Sequence, residues 1–145
     1  MPKTYQRNSI VRLVNHIMQT LIHLNLAPKG MHILTVQGRK SGRLYSTPVT
    51  LVEGENQRWL VSPYGEVPWV QNARTAGTVT LTRGKKTEKV GLVEIEPAES
   101  ALILKKYLAL EPITNSYFNV RVDSDEAAFI AEAPHHPIFR LQSAG

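Results

Sequence analysis

A short basic turn between two apolar segments holds the residues best suited to bind an anion. Gly38 and Gly42 enclose three residues that carry hydrogen-bond donors: Arg39, Lys40 and Ser41. Two glycines let the backbone bend sharply, so that its N–H groups can face a ligand. Arg39 can donate two hydrogen bonds to one phosphate, whereas Lys40 adds a point charge and Ser41 a neutral donor. The turn therefore predicts an anion site, although a solvated hairpin turn would have the same sequence.

A second segment, downstream of the turn, combines a tryptophan with an amide side chain. Trp69 and Asn72 are three residues apart, so on a helix they lie on one face. An indole beside an amide suits a planar heteroaromatic ligand. The same spacing is as typical of a core tryptophan with an asparagine that caps a turn. The two segments together, rather than either alone, indicate a ligand site.

Periodicity and turn residues predict the elements that position these segments. Apolar residues at helical spacing predict a first helix that begins at Asn8 or Ser9 and ends near Leu26. Further helices are predicted at about 69–75, 97–108 and 123–133, the last capped by Ser124, and strands at 31–37, 43–53, 58–62, 78–83, 87–96 and 138–142. Short turns between consecutive strands favour antiparallel pairing. We therefore expect an α+β fold, with about six mostly antiparallel strands in a small barrel, an N-terminal helix and outer helices, as one domain over residues 1–145.

Composition limits the chemistry and the partners. The 145-residue chain has no cysteine, which excludes a structural disulfide, a thiolate nucleophile and a cysteine-ligated metal. Its histidines show no metal-ligand spacing, so no metal site is predicted. The net charge is +5 and no acid precedes Glu53, so the front half of the chain is basic. Such a bias suits nucleic acid, a membrane surface, a phosphorylated small molecule or plain solvent. A nucleic-acid partner is not predicted, because no aromatic pair alternates with basic residues on one strand.

The N-terminal residues bear on location. Residues 1–6 are polar, and polar and basic side chains interrupt the apolar stretch that follows, so no secretion signal is predicted. No apolar run is long enough to span a bilayer. We therefore expect a cytoplasmic protein, whose basic amphipathic first helix could still lie on an anionic membrane surface.

Five short motifs follow one another along the chain. They are Gly38-Arg39-Lys40-Ser41-Gly42, Thr47-Pro48-Val49, Val61-Ser62, Pro63-Tyr64-Gly65 and Trp69-x-x-Asn72-Ala73-Arg74. This order resembles the deazaflavin-dependent nitroreductase family of actinobacteria, which uses coenzyme F420, and the match covers about residues 30–95. The resemblance implies a split β-barrel related to FMN-binding, pyridoxamine-phosphate-oxidase-like proteins. It also implies an enzyme whose reduced deazaflavin delivers hydride to a small-molecule acceptor, such as a quinone, a nitro compound or an α,β-unsaturated carbonyl.

The resemblance also implies which residues bind the cofactor. The basic turn would hold its phosphate or polyglutamate tail, the next strand would lie along it, and the Trp-x-x-Asn segment would close over it. The expected cofactor-binding residues are Arg39, Lys40, Ser41, Gly42, Arg43, Thr47, Pro48, Val49, Trp69 and Asn72. Family members often carry Pro-Arg after the turn, where this chain has Leu44-Tyr45, so Arg43 would have to supply the extra charge. Pro63 stands in place of a frequent lysine and Val70 in place of a frequent aromatic residue, so the substrate side of the pocket would be reshaped.

Two residues are expected on the substrate side, with catalytic roles. Ser62 ends the third strand beside the predicted cofactor ring, and Tyr117 lies where the family often places tyrosines over the substrate. Hydride addition leaves an anion on the acceptor, which such hydroxyl donors would stabilise. A core or surface tyrosine would explain Tyr117 as well.

Two other functions remain open beside the F420-dependent reductase. An FMN-binding reductase or oxidase of the same fold is one, because a split barrel can hold either ring. A non-catalytic module that binds a deazaflavin or a lipid is the other, supported by the amphipathic first helix. The sequence leaves both a monomer and a homodimer open.

Overall fold

Six strands within the described residues hydrogen-bond edge to edge until they close into a barrel. The computed structural model describes residues 9–28 and 30–143. The strands are β1 Met31–Gln37, β2 Leu44–Gly54, β3 Gln57–Val61, β4 Thr78–Arg83, β5 Lys86–Glu94 and β6 Ile138–Ser143. They follow the order β1-β2-β3-β6-β5-β4 around the barrel, and each neighbouring pair is antiparallel. The predicted antiparallel barrel is confirmed.

Four α-helices lie outside this barrel in the same part of the chain. They are α1 Ser9–His23, α2 Pro68–Ala76, α3 Pro97–Leu110 and α4 Glu126–Glu132, with short 3-10 helices at Pro112–Tyr117 and Ala133–His135. None of the helices among the described residues is long and apolar enough to cross a membrane. The expected arrangement of an N-terminal helix and outer helices is therefore confirmed.

The core follows from the alternation of side chains along the strands. On β1, Leu34 and Val36 are buried and Thr35 between them is partly exposed, as period-two alternation requires. Leu34 and Val36 join the apolar cluster that fills the barrel, whose buried members also include Leu51, Leu60, Val79, Leu81, Val90 and Phe139. A second cluster joins α3 and α4 to the barrel through Leu104, Phe129, Val52 and Trp59. Both clusters support β2 and β3, the strands that carry the motifs identified in the sequence.

Helix α1 is attached to the barrel mainly by its C-terminal end. Ile22 is fully buried and packs with Ile33 of β1. Closer to the N-terminus, apolar side chains remain open to solvent: Ile10 is 72% exposed, Leu13 60% and Ile17 50%. The amphipathic pattern thus forms a helix whose apolar face is only partly covered by the described residues.

Helix boundaries differ from the sequence prediction by up to three residues, and two of the differences have a local cause. Helix α1 ends at His23 rather than near Leu26, because Asn25 adopts a positive φ of 59° and turns the chain. The predicted start at Asn8 lies outside the described residues. Helix α4 is capped by Asp125, whose side chain accepts a hydrogen bond from the N–H of Ala128 at 2.9 Å, and not by Ser124. Both residue types are favoured caps, so the sequence alone could not choose between them.

Candidate functional site

A cleft of about 990 Å³ opens beside the β1–β2 turn. Residues Tyr45–Thr50 of β2 line it continuously, and residues of α1, α2 and the end of α3 line its other sides. Eight of the predicted cofactor-binding residues lie on its walls: Arg39, Lys40, Ser41, Thr47, Pro48, Val49, Trp69 and Asn72. The fold therefore brings together segments that are 33 residues apart in the chain.

The β1–β2 turn has the tight geometry that its two glycines suggested. The N–H of Gly38 donates to the carbonyl of Arg43 at 2.6 Å, and the N–H of Gly42 donates to the carbonyl of Gly38 at 3.1 Å. A Cβ at position 38 would lie 2.7 Å from the ring of Tyr45, and Gly42 has a φ of +74°. A side chain at either position would thus be strained or crowded. The glycines fold the turn back so that the residues between them border the cleft.

Asn72 anchors this turn to helix α2. Its amide oxygen accepts one hydrogen bond from the backbone N–H of Arg39 at 3.0 Å and another from Nη1 of Arg39 at 2.7 Å. Asn72 is buried, whereas Arg39 is exposed. A guanidinium has five N–H donors, so most of them remain for an anionic ligand. The asparagine predicted to close over the cofactor therefore also orients the arginine.

The middle of the cleft is largely apolar. Pro48 and Val49 of β2 line one part, and Val67 and Trp69 line another. Trp69 is half-buried, and its indole leans on Phe139 of the barrel core with 6.2 Å between ring centroids and 51° between planes. Pro68 begins α2 at a position where its missing N–H costs nothing. The tryptophan is thus both a core residue and a wall of the cleft.

The far end of the cleft carries a carboxylate that the sequence prediction missed. Glu111 follows α3, and its Oε1 accepts a hydrogen bond from Oγ1 of Thr50 at 2.8 Å. Tyr107 of α3 lines the same region, and burial, with the nearby Glu111 charge as a second cause, raises the pKa of this tyrosine. The contact joins residues 61 positions apart, and nothing local in the sequence indicates it.

Ser62 and Tyr117, the predicted catalytic residues, are not among the residues that line the cleft. Ser62 is fully buried, and its hydroxyl donates to the carbonyl of Gly65 at 2.5 Å. Tyr117 is half-buried and meets the ring of Tyr64 edge-on, with 4.7 Å between centroids. Tyr64 does line the cleft. The catalytic roles of both residues stay predictions.

Gly42 and Arg43, the other two predicted cofactor-binding residues, also lie outside the cleft lining. Both belong to the exposed part of the turn. The backbone N–H of Arg43 donates to Oγ of Ser41 at 3.2 Å. Their contact with the cofactor stays a prediction.

A buried histidine supports the loop beneath Tyr64. Nδ1 of His136 lies 2.9 Å from the carbonyl oxygen of Pro63, and Nε2 lies 2.6 Å from Oε2 of Glu132. Burial lowers the pKa of His136, and the hydrogen bond with Glu132 opposes this lowering. The ring also stacks on Phe118 at 3.8 Å. His136 thus fixes the position of Pro63 and of the loop that begins there. No group of three metal-ligand side chains occurs among the described residues.

Comparison with known proteins decides the family. A model of the F420H(2)-dependent quinone reductase family matches residues 7–127. The chain belongs to this family. It is therefore an F420-dependent oxidoreductase whose cofactor is coenzyme F420, and the resemblance found in the sequence is confirmed. No functionally curated protein matches the chain.

Solved structures show the same fold at low identity. An F420-H2 dependent reductase (FDR-A) is 20% identical with a TM-score of 0.54, over 79% of this chain and 95% of that one. A structure described as a domain-swapped dimer is 19% identical with a TM-score of 0.58, over 90% and 92%. A FAD-binding protein from Mesorhizobium loti is 11% identical with a TM-score of 0.50, over 89% of each chain. The split barrel of flavin-binding and pyridoxamine-phosphate-oxidase-like proteins is thus confirmed.

The cleft of this family member fits its cofactor chemically. Two cationic side chains and a hydroxyl lie at one end, where they suit the phosphate and carboxylates of the F420 tail. Apolar side chains and an indole line the middle, where they suit a planar ring.

Proposed function

We propose that this chain transfers a hydride from reduced F420 to an activated small-molecule acceptor: a quinone, a nitro compound or an α,β-unsaturated carbonyl. The observation that carries the proposal is the cleft in which the Arg39–Ser41 turn opens onto an apolar slot beside Trp69. When bound, the cofactor supplies the hydride, which is two electrons and one proton. The acceptor takes up one further proton, so that a quinone becomes a hydroquinone.

The chain's own residues bind and orient the cofactor, and they exclude water from it. Arg39 and Lys40 hold the anionic tail, and each charge-assisted hydrogen bond contributes roughly 1.5–3 kcal/mol. Two such bonds would supply a large part of the ~8 kcal/mol that corresponds to micromolar affinity. Pro48 and Val49 would support the ring from β2, and Trp69 would cover it. The protein needs no acid–base triad, because the cofactor carries the hydride chemistry.

A hydroxyl donor on the substrate side would stabilise the anion that forms on the acceptor. Tyr117 is our candidate, and its contact with Tyr64 at the cleft wall supports it. Ser62 is the second candidate of the sequence prediction. Its hydroxyl already donates to Gly65, which favours an indirect role for Ser62 through the loop that carries Tyr64.

Location and assembly follow from α1 and from a structural neighbour. The exposed apolar side chains Ile10, Leu13 and Ile17, together with the basic Arg12, support peripheral contact of a cytoplasmic protein with an anionic membrane, where lipid-soluble quinones reside. Val14 and Met18 of the same helix line the cleft, so the apolar face leads into it. Vesicle co-sedimentation tests this contact: the fraction of protein bound to vesicles should increase with anionic lipid and fall in Leu13→Glu.

The domain-swapped neighbour supports a homodimer, which sedimentation analysis tests.

An acceptor panel tests the reductase directly. Steady-state oxidation of reduced F420 would be measured with a naphthoquinone, a nitroimidazole and an enone, and at least one should be reduced in a saturable reaction. Binding of F420 without turnover of any acceptor would instead indicate the non-catalytic module. Tighter binding of FMN than of F420 would favour the FMN-binding reductase or oxidase.

A further inference from the structure

Charge is distributed unevenly along the cleft. Among the described residues that line it, the charged side chains are Arg39, Lys40 and Glu111. Tyr45 marks the basic end, because its hydroxyl lies 3.4 Å from Oγ of Ser41 in the turn. Thr50 marks the acidic end through its bond to Glu111. Tyr45 and Thr50 are five residues apart on β2, and a strand rises about 3.4 Å per residue, so the two ends of the cleft lie about 17 Å apart along the strand. Of the charged side chains on the cleft wall, the two positive ones therefore lie at one end and the negative one at the other.

Glu111 is held in place from several sides. Its backbone N–H donates to the carbonyl of Tyr107 at 2.9 Å and so continues the last turn of α3. Its own carbonyl accepts from the N–H of Thr114 at 3.0 Å and from Oγ1 of Thr114 at 2.7 Å. Its carboxylate accepts from Thr50, which is 9% exposed. A carboxylate so constrained presents its charge at a defined point of the cleft.

We infer that Glu111 is a specificity-determining residue, which makes the enzyme favour neutral and cationic acceptors over anionic ones. The inference rests on the proposed function, in which the cofactor tail occupies the basic turn and leaves the Glu111 end of the cleft to the acceptor. A fixed negative charge in a half-buried site repels an anionic acceptor and attracts a cationic one. A neutral acceptor experiences neither effect, so it serves as the internal reference.

The test compares three naphthoquinones that differ only in a side group: neutral, sulfonate and trimethylammonium. The ratio of kcat/KM for each charged quinone to that for the neutral one would be measured with wild type and with Glu111→Gln at saturating reduced F420. The amide oxygen of glutamine can still accept the Thr50 bond. In Glu111→Gln the sulfonate ratio should rise about fivefold and the trimethylammonium ratio should fall by a similar factor, since one unit charge is removed from the site. Glu55→Gln is the matched control, because this exposed residue lies in the β2–β3 turn and the change removes the same charge.

The outcomes separate this inference from the proposed function. If wild type reduces all three quinones and Glu111→Gln leaves both ratios unchanged, or shifts them no more than Glu55→Gln does, the inference is wrong and the proposed function stands. If wild type reduces no acceptor, the proposed function itself fails. A changed affinity for F420 with unchanged acceptor ratios would place Glu111 against the cofactor and would also overturn the inference.

Wild type alone provides a second test that does not depend on folding of the variant. The whole chain carries a net charge of +5, so general attraction would make the sulfonate ratio fall as salt screens it. Repulsion by Glu111 predicts the opposite, a sulfonate ratio that rises with salt. A falling ratio would therefore contradict the inference.

Discussion

Replacement of Asn72 by alanine tests how the anion-binding turn is held. The change removes the amide oxygen that accepts hydrogen bonds from the backbone N–H and from Nη1 of Arg39. Without them, Arg39 must be ordered by the cofactor itself, and immobilising one such side chain costs about 0.5–1.5 kcal/mol. Asn72→Ala should therefore weaken F420 binding about two- to tenfold. Arg39→Ala should cost more, about 1.5–3 kcal/mol, because it removes the charge-assisted bond itself.

The double variant decides whether Asn72 acts through Arg39. If its role is to orient the arginine side chain, Asn72→Ala should have a smaller effect on F420 affinity once Arg39 is alanine, because only the bond from the backbone N–H of residue 39 is then left to lose. Equilibrium titration of F420 against the four proteins of this cycle measures the coupling. Gln71→Ala is the control, because it removes an amide from an exposed position of the same helix. An equal loss of affinity from Asn72→Ala in both backgrounds would show that Asn72 does not act through the Arg39 side chain, and would refute this reasoning.

Three further predictions concern charge, catalysis and pH. Lys40→Ala should weaken F420 binding by about 1.5–3 kcal/mol with little loss of stability. Titration at two salt concentrations should show that F420 affinity depends less on salt in this variant than in wild type, whereas an affinity equal to that of wild type would indicate a solvated lysine. Tyr117→Phe, which removes the proposed donor, or Ser62→Ala, which removes the bond to Gly65 in the loop that carries Tyr64, should lower turnover about tenfold or more, roughly 1.4 kcal/mol, without weakening F420 binding. Full turnover of both variants with a quinone and an enone would exclude both roles. The hydrogen bond from Arg58 lowers the pKa of Glu88 from its ordinary value of 4.5, so this pair stabilises the fold above that pH and loses its effect as pH falls below it. Urea unfolding should accordingly show Glu88→Gln to be less stable than wild type by under about 1 kcal/mol at pH 7, with the difference gone by about pH 3, and a difference that persists in acid would contradict the assignment.

Local signals in the sequence account for most of the fold. Strand β1 was predicted with its observed bounds, because a run of apolar residues ends at the Gly38 turn. Short glycine turns also predicted antiparallel neighbours and hence the barrel. Contacts between distant residues could not be predicted in this way. The bond from Thr50 to Glu111 spans 61 positions and the bond from Arg39 to Asn72 spans 33, so they exist only once the barrel has closed.

The position of Ser62 follows in part from the alternation of side chains along a strand. Adjacent residues of a strand face opposite sides. The sequence prediction continues the third strand to Ser62, which would place this side chain on the face opposite Val61; the structure ends β3 at Val61, which lines the cleft, and Ser62 is fully buried and absent from the cleft lining. The loop after it then returns so that the carbonyl of Gly65 accepts the serine hydroxyl. The strand pattern could have predicted the direction of this side chain, whereas its partner depends on the path of the loop.

Parallel titration of wild type and Arg39→Ala with F420 and with FMN, at matched salt, tests the central claim most directly. The claim is that the cleft beside the Gly38–Gly42 turn is the F420 site of this family member. Wild type should bind F420 more tightly than FMN, and Arg39→Ala should lose about 1.5–3 kcal/mol of F420 affinity. Tighter binding of FMN, or F420 affinity that is unchanged in Arg39→Ala, would contradict the claim.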